Sequence, residues 1–357
     1  MASSIADNPS SQWLRSRARR LRWGVSTMRR GLRRKNRHLP WPAEATDARR
    51  DYESRLWEVV NREIQVEGSV PMRVFSFSSR SDLPEQVASI RSFLVHAGRP
   101  SSWTVISDGS HSDEERAVLQ AIDPSVEVVD WRLCSPSGLP GALWDYARVD
   151  AMGKRLVALA SLPADRPVLY TDADILFYPA AGEPGALAPV DGTVLYMQDS
   201  ELRRSGPLAG QPALDTALLH DEAEEREVVN AGFFLVNGRL EWMPAFLRLE
   251  GLRWKPATFA GQTVVHLTLH LAGCRPLDPT RYVLAADDRD VPGDPYVGVD
   301  TVLRHYARPV RHKFWTAISR EDFTPLRCPT TASCGSMAAS RSSPAVRAGS
   351  GSQSARG

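Results

Sequence analysis

Cysteine is scarce and badly spaced for the uses that depend on it. Only four occur in 357 residues, Cys134, Cys274, Cys328 and Cys334, and none forms a Cys-x-x-Cys pair. That spacing argues against a zinc site or a disulfide framework and for a reducing compartment. Long apolar runs are missing too. No stretch of about 18 apolar residues occurs, so no spanning helix is expected. No apolar region follows the N-terminal charges, so no secretory signal is expected. A Gly-x-Gly-x-x-Gly between the first strand and first helix is absent, which removes the dinucleotide fingerprint. No internal repeat is visible. What remains is a soluble globular composition, 42% hydrophobic with a net charge of only +2. The length supports one large domain or two small ones.

Charge is uneven along the chain. From Arg15 to Arg37 there are eleven Arg or Lys and no acid. Leu14, Leu21, Val25, Met28 and Leu32 recur at helical steps, flanked by Trp13 and Trp23. A basic amphipathic helix of this kind suits an anionic membrane surface. A disordered basic tail, or an arm touching nucleic acid, is the competing reading. Residues 1–45 are taken as this arm and 46–71 as a lead-in with a helix from about Thr46 to Ile64. The globular domain is placed at 72–326. From Cys328 onward there is no aromatic residue and no acid, so 327–357 is expected to be disordered.

Within the domain, strand and helix signals alternate. Met72–Ser78, Trp103–Ser107 and Val126–Trp131 read as strands, with helices opened by Pro84 and by Ser112 between them. Tyr146–Ser161 reads as a helix leading into Val168–Phe177, an apolar run taken as one buried strand. This alternation predicts an α/β domain with a mostly parallel sheet. Gly192–Gln198 and Val229–Asn237 are further strands, separated by a polar excursion over 199–227. A helix is expected over about Gln262–Leu271.

The run Val168–Phe177 is broken once, by Asp172 and Asp174. Two carboxylates at the C-terminal end of a buried strand are costly unless compensated. In an open α/β sheet ligands bind outside that end. The pair can hold a hard divalent cation, or it can cap a turn or pair with arginines. A second informative spot is Asn230-Ala231-Gly232, where Gly allows close approach and Asn offers donor and acceptor. The last ordered piece carries His305-Tyr306 and Arg311-His312-Lys313-Phe314-Trp315.

In this order, these pieces resemble nucleotide-diphospho-sugar glycosyltransferases of the GT-A fold, and among them the glycogenin-like and galactosyltransferase-like enzymes of family 8. The elements are Lys154 and Arg155 on a helix, Asp172-Ala173-Asp174, Asn230-Ala231-Gly232, and the terminal His-Tyr and His-Lys-Phe-Trp. The likeness covers about residues 72–320. It departs from the family where Ala307 or Arg308 replaces a Gly, where the Lys falls later, and where Gly261 replaces an Asp before Gln262.

The resemblance implies a single GT-A (Rossmann-like) domain and a transferase using Mn²⁺ or Mg²⁺. Asp172, Asp174 and His305 would be the metal ligands. Asp172 would also serve the ribose, and Lys154, Arg311 and Lys313 the diphosphate. Ser76, Ser78 and Arg80 would hold base and ribose, with Gly232 lining the donor site. Asn230 and Gln262 would face the donor sugar and the reaction centre. His312 competes with His305 as third ligand. The donor would be a nucleotide sugar, UDP-linked in this reading, and the acceptor a glycan or small molecule. Nucleic acid is not expected as a partner. The setting would be cytoplasmic, with the arm on the inner face of a membrane. A non-catalytic membrane-tethered nucleotide-sugar binder, or a sugar-nucleotide nucleotidyltransferase, is the alternative.

Overall fold

The computed structural model describes residues 40–134, 136–163, 165–188, 192–199, 214–219, 227–251 and 259–320. The basic arm, most of the excursion over 199–227 and the tail lie outside the described residues. So do the readings placed on them.

Ten strands are described: β1 (Ser69–Ser78), β2 (Arg99–Ser107), β3 (Val126–Asp130), β4 (Val168–Thr171), β5 (Ile175–Phe177), β6 (Val194–Gln198), β7 (Val229–Val236), β8 (Arg275–Pro276), β9 (Tyr282–Val283) and β10 (Leu303–His305). The helices are α1 (Ala43–Ser54), α2 (Leu56–Asn61), α3 (Leu83–His96), α4 (Asp113–Gln120), α5 (Gly141–Ala147), α6 (Ala151–Leu159), α7 (Met243–Leu247), α8 (Ala260–Leu271) and α9 (Arg311–Arg320). Seven strands form one sheet in the order β3-β2-β1-β4-β7-β6-β8, and three form a second, β5-β10-β9. In the large sheet only β7 runs against the rest, antiparallel to both β4 and β6. The expected mostly parallel α/β sheet is therefore what these residues build.

Strand order decides where a ligand can bind. The chain lays β2 and β3 on one side of β1 and β4 on the other. The connections diverge between β1 and β4, which opens a crevice outside their carboxyl ends. The central strands β4 and β7 are buried at every residue. Apolar layers cover both faces, which explains their near-continuous apolar sequence. Leu169 enters the layer containing Val74, Ile90, Phe93 and Phe177. Tyr170 enters the opposite layer with Leu156, Phe234 and Val264.

Two expectations need correction. The run over 168–177 is not one strand. Its first part belongs to the large sheet and its last part to the small one. The Asp172 N–H still pairs with the Gly232 carbonyl at 2.8 Å, whereas the Tyr306 N–H pairs with the Asp174 carbonyl at 2.9 Å. Across Asp172-Ala173-Asp174 the backbone thus exchanges one set of partners for another, and both carboxylates sit where no ladder constrains them.

The expected helix over 146–161 is two helices. The first ends at Ala147, and Asp150 caps α6, its side chain accepting from the Met152 N–H at 2.9 Å. Near the end of the domain, β10 covers only Leu303–His305. A tight turn over Arg308–Val310 then leads directly into α9.

Candidate active site

Two strand ends and one crossing segment meet at the mouth of the crevice. Asp172 and Asp174 come from the link between β4 and β5, His305 from the end of β10. One ligand atom from each lies within 4.8 Å of the others. The register explains this. β10 pairs antiparallel with β5, setting His305 opposite Ile175, next to Asp174. Asp174 and His305 are buried, while Asp172 is half-buried.

His305 is held at both ring nitrogens. Asn230 Oδ1 accepts from the Gly232 N–H at 2.9 Å, so it is this oxygen that faces His305 Nδ1 at 3.1 Å. Nδ1 therefore carries a proton. Nε2 lies 3.1 Å from Asp174 Oδ1, a contact that needs a second proton. Burial works against that charge, but the adjacent Asp174 carboxylate outweighs it and raises the imidazole above its ordinary pKa. Asn230 is thus a positioning residue, its oxygen spent on the ring and the backbone.

Gly232 keeps the site open. A Cβ there would come within 2.6 Å of His305 Cε1, 2.7 Å of Asp172 Oδ2 and 2.8 Å of Asn230 Oδ1. The position needs glycine for space, since the β7 backbone runs directly beneath Asp172 and His305.

Two arginines balance the acids. Arg155, on α6, is buried and places Nη2 3.2 Å from Asp172 Oδ1. It lies over the Tyr170 ring with Cζ 4.9 Å from the centroid, and also donates to the Ala231 carbonyl. The Tyr170 hydroxyl donates to the same Asp172 oxygen at 3.1 Å. Arg311, the first residue of α9, donates through Nη2 and, at 3.2 Å, through Nε to Asp174 Oδ2. Its Nη1 reaches Asp82 Oδ1 at 3.3 Å. Burial alone would raise the Asp174 carboxyl. Arg311 and His305 reverse that and hold it well below the usual carboxylate range.

The donor set fits a hard or borderline divalent cation: two carboxylates, one imidazole nitrogen, and a cradle that only glycine leaves free. Asp172, Asp174 and His305 Nε2 would hold it, once Nε2 gives up its proton.

The other expected residues divide. Lys154 lies near the crevice, donating to the Asp108 carbonyl at 2.7 Å with Nζ 5.6 Å from the Trp131 ring centroid. Arg80 stands at the rim with Nε 2.8 Å from Glu115. Ser76 is turned into the core, where its Oγ accepts from Trp103 Nε1 at 3.1 Å, so it offers nothing to a ribose. Ser78 is also buried. Gln262 donates to Asp199, outside the triad's hydrogen bonds.

Lys313 is a correction. It is 3% exposed, and its ammonium is spent on the Val291 and Gly293 carbonyls and on Asp288. A helix turns residues two apart to different sides, so Arg311 faces the site and Lys313 the 288–293 loop. His312 bonds the Arg289 carbonyl at 3.0 Å, and it is His305 that joins the triad.

Sequence reasoning singled out Arg155 without giving it a role, and missed Tyr170 and Asp82 as members of the site. Tyr170 was readable, being two residues before Asp172 in an extended stretch and so on the same face. The role of Arg155 and the presence of Asp82 depend on the packing of distant elements, which no local pattern announces.

No protein-family model and no curated protein matches this chain. Solved structures do resemble it. A galactosyltransferase, LgtC, crystallised with donor and acceptor sugar analogs, aligns at 15% identity and a TM-score of 0.45, covering 66% of this chain and 87% of that one. GlyE, a glycosyltransferase of Streptococcus pneumoniae, aligns at 13% identity and 0.40, covering 71% and 63%. Mouse xyloside xylosyltransferase 1 aligns at 13% and 0.37, covering 66% and 97%. All three are glycosyltransferases. Likeness at this level concerns the course of the chain and not its chemistry.

Proposed function

We propose that this chain is a divalent-cation-dependent glycosyltransferase that moves a sugar from a nucleoside-diphosphate donor, UDP-linked in our reading, to a glycan or small acceptor. The observation that supports it most is the Asp172–Asp174–His305 cluster at the divergence of β1 and β4, kept open by Gly232 and flanked by Arg311.

Breaking a sugar–phosphate bond leaves negative charge on the departing diphosphate. A bound divalent cation would supply Lewis-acid neutralisation of that charge. The chain's own groups add positive charge around it. Arg311 lies at the β1 side of the crevice, bonded to Asp174 and Asp82, and Lys154 lies on the side of the β2 loop. Arg155 and Tyr170 hold Asp172 in one orientation. Asn230 fixes which nitrogen of His305 faces the carboxylates. We assign Mn²⁺ as the natural cation because an imidazole joins the oxygens, with Mg²⁺ as the substitute.

The basic arm, on this proposal, holds the domain at an anionic membrane surface. Among the described residues no helix is long and apolar enough to cross one.

A thermal-shift panel of nucleoside diphosphates and sugar nucleotides, with and without Mn²⁺, tests the reading. A true donor at about 100 times its dissociation constant should stabilise by about 2.7 kcal/mol, and only with the cation. Asp174→Asn should abolish that shift. It should also lower the starting stability by about 3 kcal/mol, because Arg311 and His305 lose their shared counter-charge. Equal stabilisation with and without chelator would rule out the cation's role.

A further inference from the structure

Arg311 occupies a curious place for a residue meant to receive a ligand. It is already spent on Asp174, one of the three cation ligands. The carboxylate cannot give both oxygens freely to a divalent ion while Oδ2 takes two N–H donors from the guanidinium. Arg311 also has a second anchor, Asp82, at 3.3 Å in the turn after β1. Its side chain is 26% exposed, so it has room to move toward solvent, whereas Asp174 at 6% does not.

We propose that Arg311 is an exchangeable counter-cation. It neutralises Asp174 while no divalent ion is present. It leaves Asp174 when one arrives, keeping Asp82 as a pivot, and is thereby presented to the diphosphate in the crevice. The inference rests on the cation reading above and deepens it. The buried carboxylate is never left bare, so the empty site does not bear an uncompensated charge. The exchange also makes the ion and the diphosphate cooperative, because the ion alone must displace a bound cation and the diphosphate recovers the displaced one.

Two measurements test this. The first is Mn²⁺ binding without nucleotide, followed by electron paramagnetic resonance, in the natural chain, Arg311→Gln and Asp174→Asn. Removing the competing guanidinium should tighten Mn²⁺ by about tenfold, while Asp174→Asn should abolish binding. Unchanged or weaker binding by Arg311→Gln, with the natural chain binding normally, overturns the exchange and leaves the cation reading intact. No Mn²⁺ binding in any of these overturns both.

The second uses the unaltered chain. Phenylglyoxal modification read by mass spectrometry should speed up at Arg311 when Mn²⁺ is added, with exposed Arg239 as the unaffected reference. Inorganic pyrophosphate added with Mn²⁺ should slow it again. Protection by Mn²⁺ alone, or no change, overturns the release. Failure of pyrophosphate to protect overturns delivery to the diphosphate.

Discussion

Gly232 shows how little the site tolerates. Three polar groups converge on the place where its Cβ would stand, at 2.6–2.8 Å. Gly232→Ala must push His305 or Asp172 aside. Overpacking of this kind costs about 1–3 kcal/mol, and the groups displaced are the cation ligands. We therefore expect a modest fall in thermal stability with a much larger loss of Mn²⁺ affinity, measurable by calorimetry on one sample. A variant that keeps its Mn²⁺ affinity would show the cradle to be roomier than these distances allow. At this scale the sequence was informative about residue types. Asp172, Asp174, His305 and Asn230 could each be picked out by chemistry and order. Their division of labour could not. Asn230 spends its oxygen on the ring of His305, and Lys313 is buried under its own loop. The first follows from the pairing of β10 with β5, which brings His305 to Asn230, and the second from which way Lys313 points after the turn at Arg308–Val310; neighbouring residues dictate neither.

Among elements, α3 stands out because every residue from Leu83 to Leu94 is buried. Its polar groups are only partly matched: Glu85 meets Arg49 at 2.9 Å, whereas the buried Gln86 amide and Ser89 hydroxyl have no hydrogen-bond partner among the described residues. At its last residue, His96, burial pushes the imidazole pKa down to about 4. The unfolded chain would take up this proton near pH 6.5. The contribution of neutral His96 is therefore complete above pH 6.5 and is lost as pH falls toward 4. It amounts to about 2 kcal/mol once partial exposure is allowed for. Urea titrations of His96→Gln between pH 7 and 4 should show a shallower loss than the natural chain; identical slopes would mean that other groups set the acid limit. The first β-α-β-α-β stretch was legible because Pro84 and the Ser112 cap mark its helices. The small sheet was not. β5 and β10 are three residues each and β9 two, too short to show a period, and the pairing of β5 with β10 joins segments more than a hundred residues apart.

For the whole molecule, the arm and the enzyme-like domain can be separated by experiment. Deleting residues 1–40 should leave Mn²⁺ and nucleotide binding unchanged and remove binding to vesicles rich in anionic lipid. Each basic residue near such a surface contributes about 1 kcal/mol, so cosedimentation should fade as salt rises. Salt-insensitive binding to neutral vesicles would refute the electrostatic attachment. The domain itself carries one more consequence. Asp172 takes its backbone partner from the large sheet, Asp174 and His305 theirs from the small one. The two halves of the donor set therefore ride on separate plates, which share one apolar core and are joined by the backbone at Ala173. Anything bridging the three side chains works as a rivet between the plates. Occupancy should then be legible far from the ligands, as slower hydrogen exchange at the Tyr306 amide. Conversely, a substitution that merely tilts one plate would loosen the grip without touching any residue that holds on.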